Sequence, residues 1–129
     1  MAESRPTFRA GRNIAMKLPL RAYDATLAFY RDTLGLPVRR ETESGAVIDF
    51  GPMTLWLDRI AAQSQTDIWL EVTAPDTDAA ARHLRERGVT ICPEVEALPD
   101  GFDGFWIAAP SGTIHLVAGP DAAPAELED

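Results

Sequence analysis

Cysteine is all but missing from this chain. Cys92 is the only one, so no intramolecular disulfide can form, and a reducing compartment is the expectation. Lys17 is likewise the only lysine. Basic side chains are outnumbered, 12 Lys plus Arg against 20 Asp plus Glu, for a net charge of -8. An acidic surface makes a nucleic-acid backbone a poor partner and favours neutral or cationic ligands. No apolar run reaches the roughly 18 residues of a membrane span. Residues 1–11 show no apolar stretch followed by a small-residue cleavage site, so no secretory signal is expected. Glycine-rich phosphate loops, Cys-x-x-Cys pairs and nucleophile motifs are also missing. These absences predict a cytoplasmic chain with no nucleic-acid and no membrane partner. What is present is enough for one domain with a real core: 129 residues, 46% of them hydrophobic.

Residues 1–11 read as a polar arm. Residues 12–20 alternate, with Ile14, Met16, Leu18 and Leu20 on one side, which predicts a strand ending at Pro19. The spacing over residues 24–34 predicts a helix, with Asp24 as N-cap and Gly35 as its stop. Strand-like runs follow at 37–42, 46–50 and 53–59, and then a small, polar linker at 60–66. The order then begins again. Residues 67–73 alternate, and residues 76–87 predict a helix with acids early and arginines late, as the helix dipole favours. Residues 89–92, 104–109 and 113–118 are three more strand candidates. Residues 119–129 carry Pro, Ala and four carboxylates, the composition of an acidic disordered tail.

Strand, helix and three strands thus occur twice, and Thr54-Leu55-Trp56-Leu57 matches Thr113-Ile114-His115-Leu116 between the halves. The run Asp24-Ala-Thr-Leu-Ala-Phe-Tyr-Arg-Asp-Thr-Leu-Gly-Leu36 resembles the helix and "FY…LGL" ending of the vicinal oxygen chelate superfamily, which groups glyoxalase I, bleomycin-resistance proteins and extradiol dioxygenases. Ala109-Pro-Ser-Gly-Thr-Ile-His-Leu116 resembles that family's closing "DPDGNxIEL" run. The resemblance covers residues 12–118. It implies an α+β fold: two βαβββ modules, at 12–60 and 67–118, forming open curved mixed sheets around a cavity. It also implies a homodimer.

In the metal enzymes of that superfamily, the first and last strands of each module supply the ligands. Carried over one at a time, these positions fall on Ala15 (or Asn13), Trp56, Asp67 and His115. Alanine and indole have no lone pair to offer, and two donors in four fall short of a catalytic site. No metal and no cofactor are therefore expected.

Strand alternation bears independently on the site. If the triplets around Leu55 and Leu57, around Ile68 and Leu70, and around Ile114 and Leu116 pack beneath helices, then Trp56, Trp69, Asp67 and His115 face the other way, into one shared cavity. Asn13 joins them from the first strand. Trp106 belongs to the run 101–106, read as a turn leading a strand or as an aromatic lip on the cavity. Indole beside carboxylate suits a cationic aromatic ligand. Each residue also has a plainer reading. The tryptophans could fill a barrel interior, His115 could be a hydrogen-bonded structural histidine, and Asp67 a turn carboxylate. Lys17, on the mixed face of its strand, reads as a solvated charge or as a ligand contact. The expectation is a small-molecule binding protein without metal, similar to bleomycin-resistance proteins. The alternative is a metal-dependent or acid–base lyase or isomerase of the same superfamily, using Asp67 and His115.

Overall fold

Proline sets the first boundary. In the computed structural model, which describes residues 6–120, strand β2 (Asn13–Leu18) ends where Pro19 begins. Pro19 has extended angles (φ -60°, ψ 153°) and leads directly into helix α1 (Leu20–Ala28). The Ala22 amide closes the first turn on the Pro19 carbonyl at 3.0 Å. The helix therefore starts earlier than Asp24, because a proline at this point is already shaped for entering a helix. Beyond Ala28 the coil widens into a π-helical turn, Phe29–Thr33, and the Leu34 amide bonds the Phe29 carbonyl at 2.9 Å. Gly35, at φ +69°, then reverses the chain.

Two units follow, one centred on residues 12–69 and one on residues 70–120 with residues 6–11. In the N-terminal module, β3 (Val38–Thr42), β4 (Gly45–Phe50), β5 (Met53–Arg59), β2 and the start of β6 (Asp67–Thr73) lie side by side in that order. β2 runs parallel to β5, and the other pairs are antiparallel. Leu18, Ala46, Ile48, Leu55 and Leu57 pack against Tyr23 and Leu27 of α1. Ile14 and Met16 join this core, so the apolar parity of the first and last strands is as the alternation predicts.

The C-terminal module repeats the plan. Helix α2 (Thr77–Glu86) follows β6, and β7 (Thr90–Ile91), β8 (Gly104–Ala108) and β9 (Ile114–Ala118) complete the sheet. The Asp76 carboxylate accepts the Ala79 amide at 3.0 Å, a side-chain N-cap. β9 runs parallel to β6 and antiparallel to β8. Part of the segment read as an arm is structured here, since β1 (Arg9–Ala10) pairs antiparallel with Thr73 and Val72. Ala74, Ala80 and Val117 form the centre of this core, with Phe8, Val72, Leu84, Phe105 and Ile107 around them. Each module is thus a βαβββ unit with a mixed sheet, and the fold is α+β.

The last strand corrects an expectation. Val117 is fully buried against Ala80 of α2, and it pairs with Val72 and Phe105. His115, two residues away, shares the side of Val117, and Ile114 and Leu116 take the opposite side. On β6 the parity is as predicted, with Val72 beneath α2. Ile68 and Leu70 nevertheless remain 41% and 38% exposed. Residues 1–5 of the arm and the acidic tail at 121–129 lie outside the described residues. Among the described residues, no helix is long and apolar enough to cross a membrane.

Candidate functional site

The sheet face of the N-terminal module opposite α1 is built from alternate residues of four strands. Ala15 pairs with Trp56 on one side and with Trp69 on the other. Trp56 pairs in turn with Val47. Residues paired across a ladder point to the same face, so two indoles flank the smallest side chain of the row. With strands about 4.8 Å apart, the backbones of Trp56 and Trp69 stand roughly 10 Å apart across Ala15.

One residue pair further along, charge replaces ring. Lys17 pairs with Asp58 and with Asp67. The Lys17 ammonium donates to Asp58 Oδ2 at 2.6 Å and lies 4.3 Å from the centre of the Trp69 ring. It is thus held by a carboxylate and by the negative face of an indole. Lys17 is only 3% exposed, so the reading of a solvated charge is corrected. The row carries two carboxylates and one ammonium. Asp67 itself is exposed, and its Oδ2 accepts a hydrogen bond from Gln63 Nε2 at 2.9 Å.

At the other end of the face, the Trp56 indole N–H donates to Asn13 Oδ1 at 2.7 Å. This bond fixes the ring's orientation and engages the one side-chain oxygen that Asn13 could offer a metal. Arg39, at the irregularity in the β3–β4 register, donates to the Thr54 hydroxyl at 2.5 Å and pairs with Asp49.

Asn13, Trp56, Asp67 and Trp69 therefore share one face of one module. Lys17 and Asp58 belong with them; alternation puts Asp58 on the face of Trp56, although it was not among the expected ligand-binding residues. The signal was available, since Lys17 and Asp58 each lie two residues beyond Ala15 and Trp56, the matched positions on the two strands. His115 belongs to the C-terminal module and faces the side of α2, with Nδ1 3.1 Å from the Thr113 carbonyl oxygen. Trp106 lies on the opposite side of that sheet, buried, and its indole donates to the Glu96 carbonyl at 2.9 Å.

A divalent ion does not fit these residues. Ala15 and Trp56, the positions onto which the resemblance carries metal ligands in this module, pair directly, and neither supplies a donor. Among the described residues, no three His, Cys, Asp or Glu side chains are grouped so as to hold a metal.

No curated protein matches the sequence. Solved structures do. The chain is similar to the Mn(II)-bound glyoxalase from Novosphingobium aromaticivorans, with a TM-score of 0.68 and 23% identity over 95% of this chain, although it spans only 43% of that protein. It is similar to methylmalonyl-CoA epimerase from Mycobacterium tuberculosis, with a TM-score of 0.61 and 20% identity over 96% of this chain and 93% of that one. A homoprotocatechuate 2,3-dioxygenase variant from Brevibacterium fuscum gives a TM-score of 0.66 and 19% identity over 95% of this chain and 35% of that one. At these identities the likeness establishes the fold. The profile of the glyoxalase-like domain matches residues 15–117, most of the sequence, and the chain therefore belongs to the glyoxalase-like domain family.

Proposed function

We propose that this member of the family binds a small molecule without a metal, and that its ligand is a cationic aromatic compound. The ligand lies against Trp56 on the face of β2, β5 and β6, beside Trp69, Asn13 and Asp67. The observation that carries this reading is the paired row Trp56–Ala15–Trp69, an indole and a methyl group at the positions where the resemblance to metal-dependent relatives would put donors. The neighbouring row of Asp58, Lys17 and Asp67 sums to one negative charge, which suits a cation and opposes an anion. The half-buried Trp56 ring, oriented by Asn13, supplies the stacking surface.

Proflavine, a planar aromatic cation, tests it. The expected result is saturable quenching of tryptophan fluorescence in protein purified without added metal. Trp56→Ala should weaken binding by about 1–3 kcal/mol, the usual scale for truncating an aromatic contact. No saturable quenching, or equal affinity in Trp56→Ala, sinks the reading. Stoichiometric divalent metal in the purified protein would favour a metal-dependent enzyme instead. The proposal extends to assembly as a homodimer. Light scattering at tens of micromolar should give twice the chain mass, and a monomer there removes that part of it.

A further inference from the structure

The C-terminal module carries a groove of about 420 Å³ between α2 and the β7–β8 edge, within the range of small-ligand sites. Ile91, Phe102 and Phe105, with Ala81 of the helix, give its lining an apolar part. The place of Phe102 in it depends on a missing side chain. A Cβ at Gly104 would come within 2.7 Å of the Phe102 ring, so glycine is what lets that ring lie against the β8 backbone. One end of the groove is fastened. The Thr77 hydroxyl donates to the Asp103 carboxylate, and the Gly119 amide donates to the Asp103 carbonyl at 2.9 Å.

Arg82 and Arg85 line the groove from α2, three residues apart on one helix face. Among the described residues, neither makes an ion pair or a hydrogen bond. This is unexpected in a chain with 20 acidic residues against 12 basic ones. The acids that do line the groove, Asp78 and Asp103, mark the other end of the helix. Asp78 stands four residues before Arg82 and seven before Arg85, about 6 Å and about 10 Å along the axis. The groove thus runs from acid at the start of α2, past Arg82 one turn on, to Arg85 at its far end, with two aromatic rings in its lining.

We propose that this groove binds an amphipathic organic anion, a carboxylate carried on an aromatic or short acyl body. The carboxylate sits at Arg82 and Arg85, whose planar donors match its two oxygens. The apolar body covers Phe102 and Phe105. This site is separate from the face carrying Trp56, and its ligand has the opposite charge, so either proposal can fail without the other.

The experiment is a backbone-amide NMR titration with 3-phenylpropionate, using 3-phenylpropylamine as the cationic control. The expected result is saturable shifts over residues 77–85 and 102–105 with the carboxylate and none there with the amine. Arg82→Gln combined with Arg85→Gln should weaken carboxylate binding at least tenfold. Both positions are exposed, and unchanged resonances elsewhere would establish that the variant folds. No saturable shift in the groove, equal response to the amine, or less than a threefold loss in the double variant overturns the proposal.

Discussion

Lys17 is a charge that the fold has withdrawn from water. Its ammonium is nearly inaccessible, and the side chain of its partner Asp58 is only 16% exposed. Pairs of this kind add little net stability when intact, but removing one member strands the other. Asp58→Ala should therefore destabilise the protein by about 3 kcal/mol in urea unfolding. Adding Lys17→Met should recover much of that loss, because an apolar chain of similar length suits the ring of Trp69. Alternation alone placed Lys17 on the correct face. It could not reveal that Lys17 itself is buried there, because that depends on contacts far away in sequence. Tyr23 is a second buried titratable group. Burial raises its pKa above the usual phenol value, Glu41 adds to the shift, and the nearby Arg59 opposes it. A raised folded pKa gives stability that is present below about pH 10 and lost as pH rises through the higher folded value. Unfolding midpoints should fall above pH 10, and Tyr23→Phe should flatten that fall.

Two closing strands, β5 and β9, show where strand pattern is informative and where it is not. In β5, Thr54 and Asp58 flank Trp56 in parity, so only Leu55 and Leu57 could enter the core, and they do. In β9 both parities are apolar, with Ile114 and Leu116 on one side and Val117 on the other. A short strand with two apolar faces does not declare its orientation. The choice falls to the neighbours: Val72, Phe105 and the Ala80 face of α2 together enclose Val117. This is why the side taken by Trp56 was legible in the sequence and the side taken by His115 was not. The helix ends behave similarly. Asp76 was legible as the edge of α2 because its carboxylate caps the helix, whereas α1 starts after a proline and needs no capping side chain. Asp76→Ala should cost about 1 kcal/mol, and Asp76→Asn should restore most of it, read as thermal midpoints.

At the scale of the whole molecule, the net charge of -8 acts on every ligand that approaches. Raising ionic strength from about 10 mM to about 150 mM shortens the screening length from ~30 Å to ~8 Å. Stopped-flow association of proflavine should slow over that range, whereas salt should not slow the approach of an anion. The burial of Lys17 also has a practical side. The sequence contains one ε-amine, and the fold hides it beneath an indole. Succinimidyl esters, aldehyde crosslinkers and lysine-modifying enzymes find no accessible lysine on the native protein. Mass spectrometry after brief treatment with an amine-reactive ester should leave Lys17 unmodified in native protein and modified in urea. Its labelling rate then becomes a direct clock for local opening of β2.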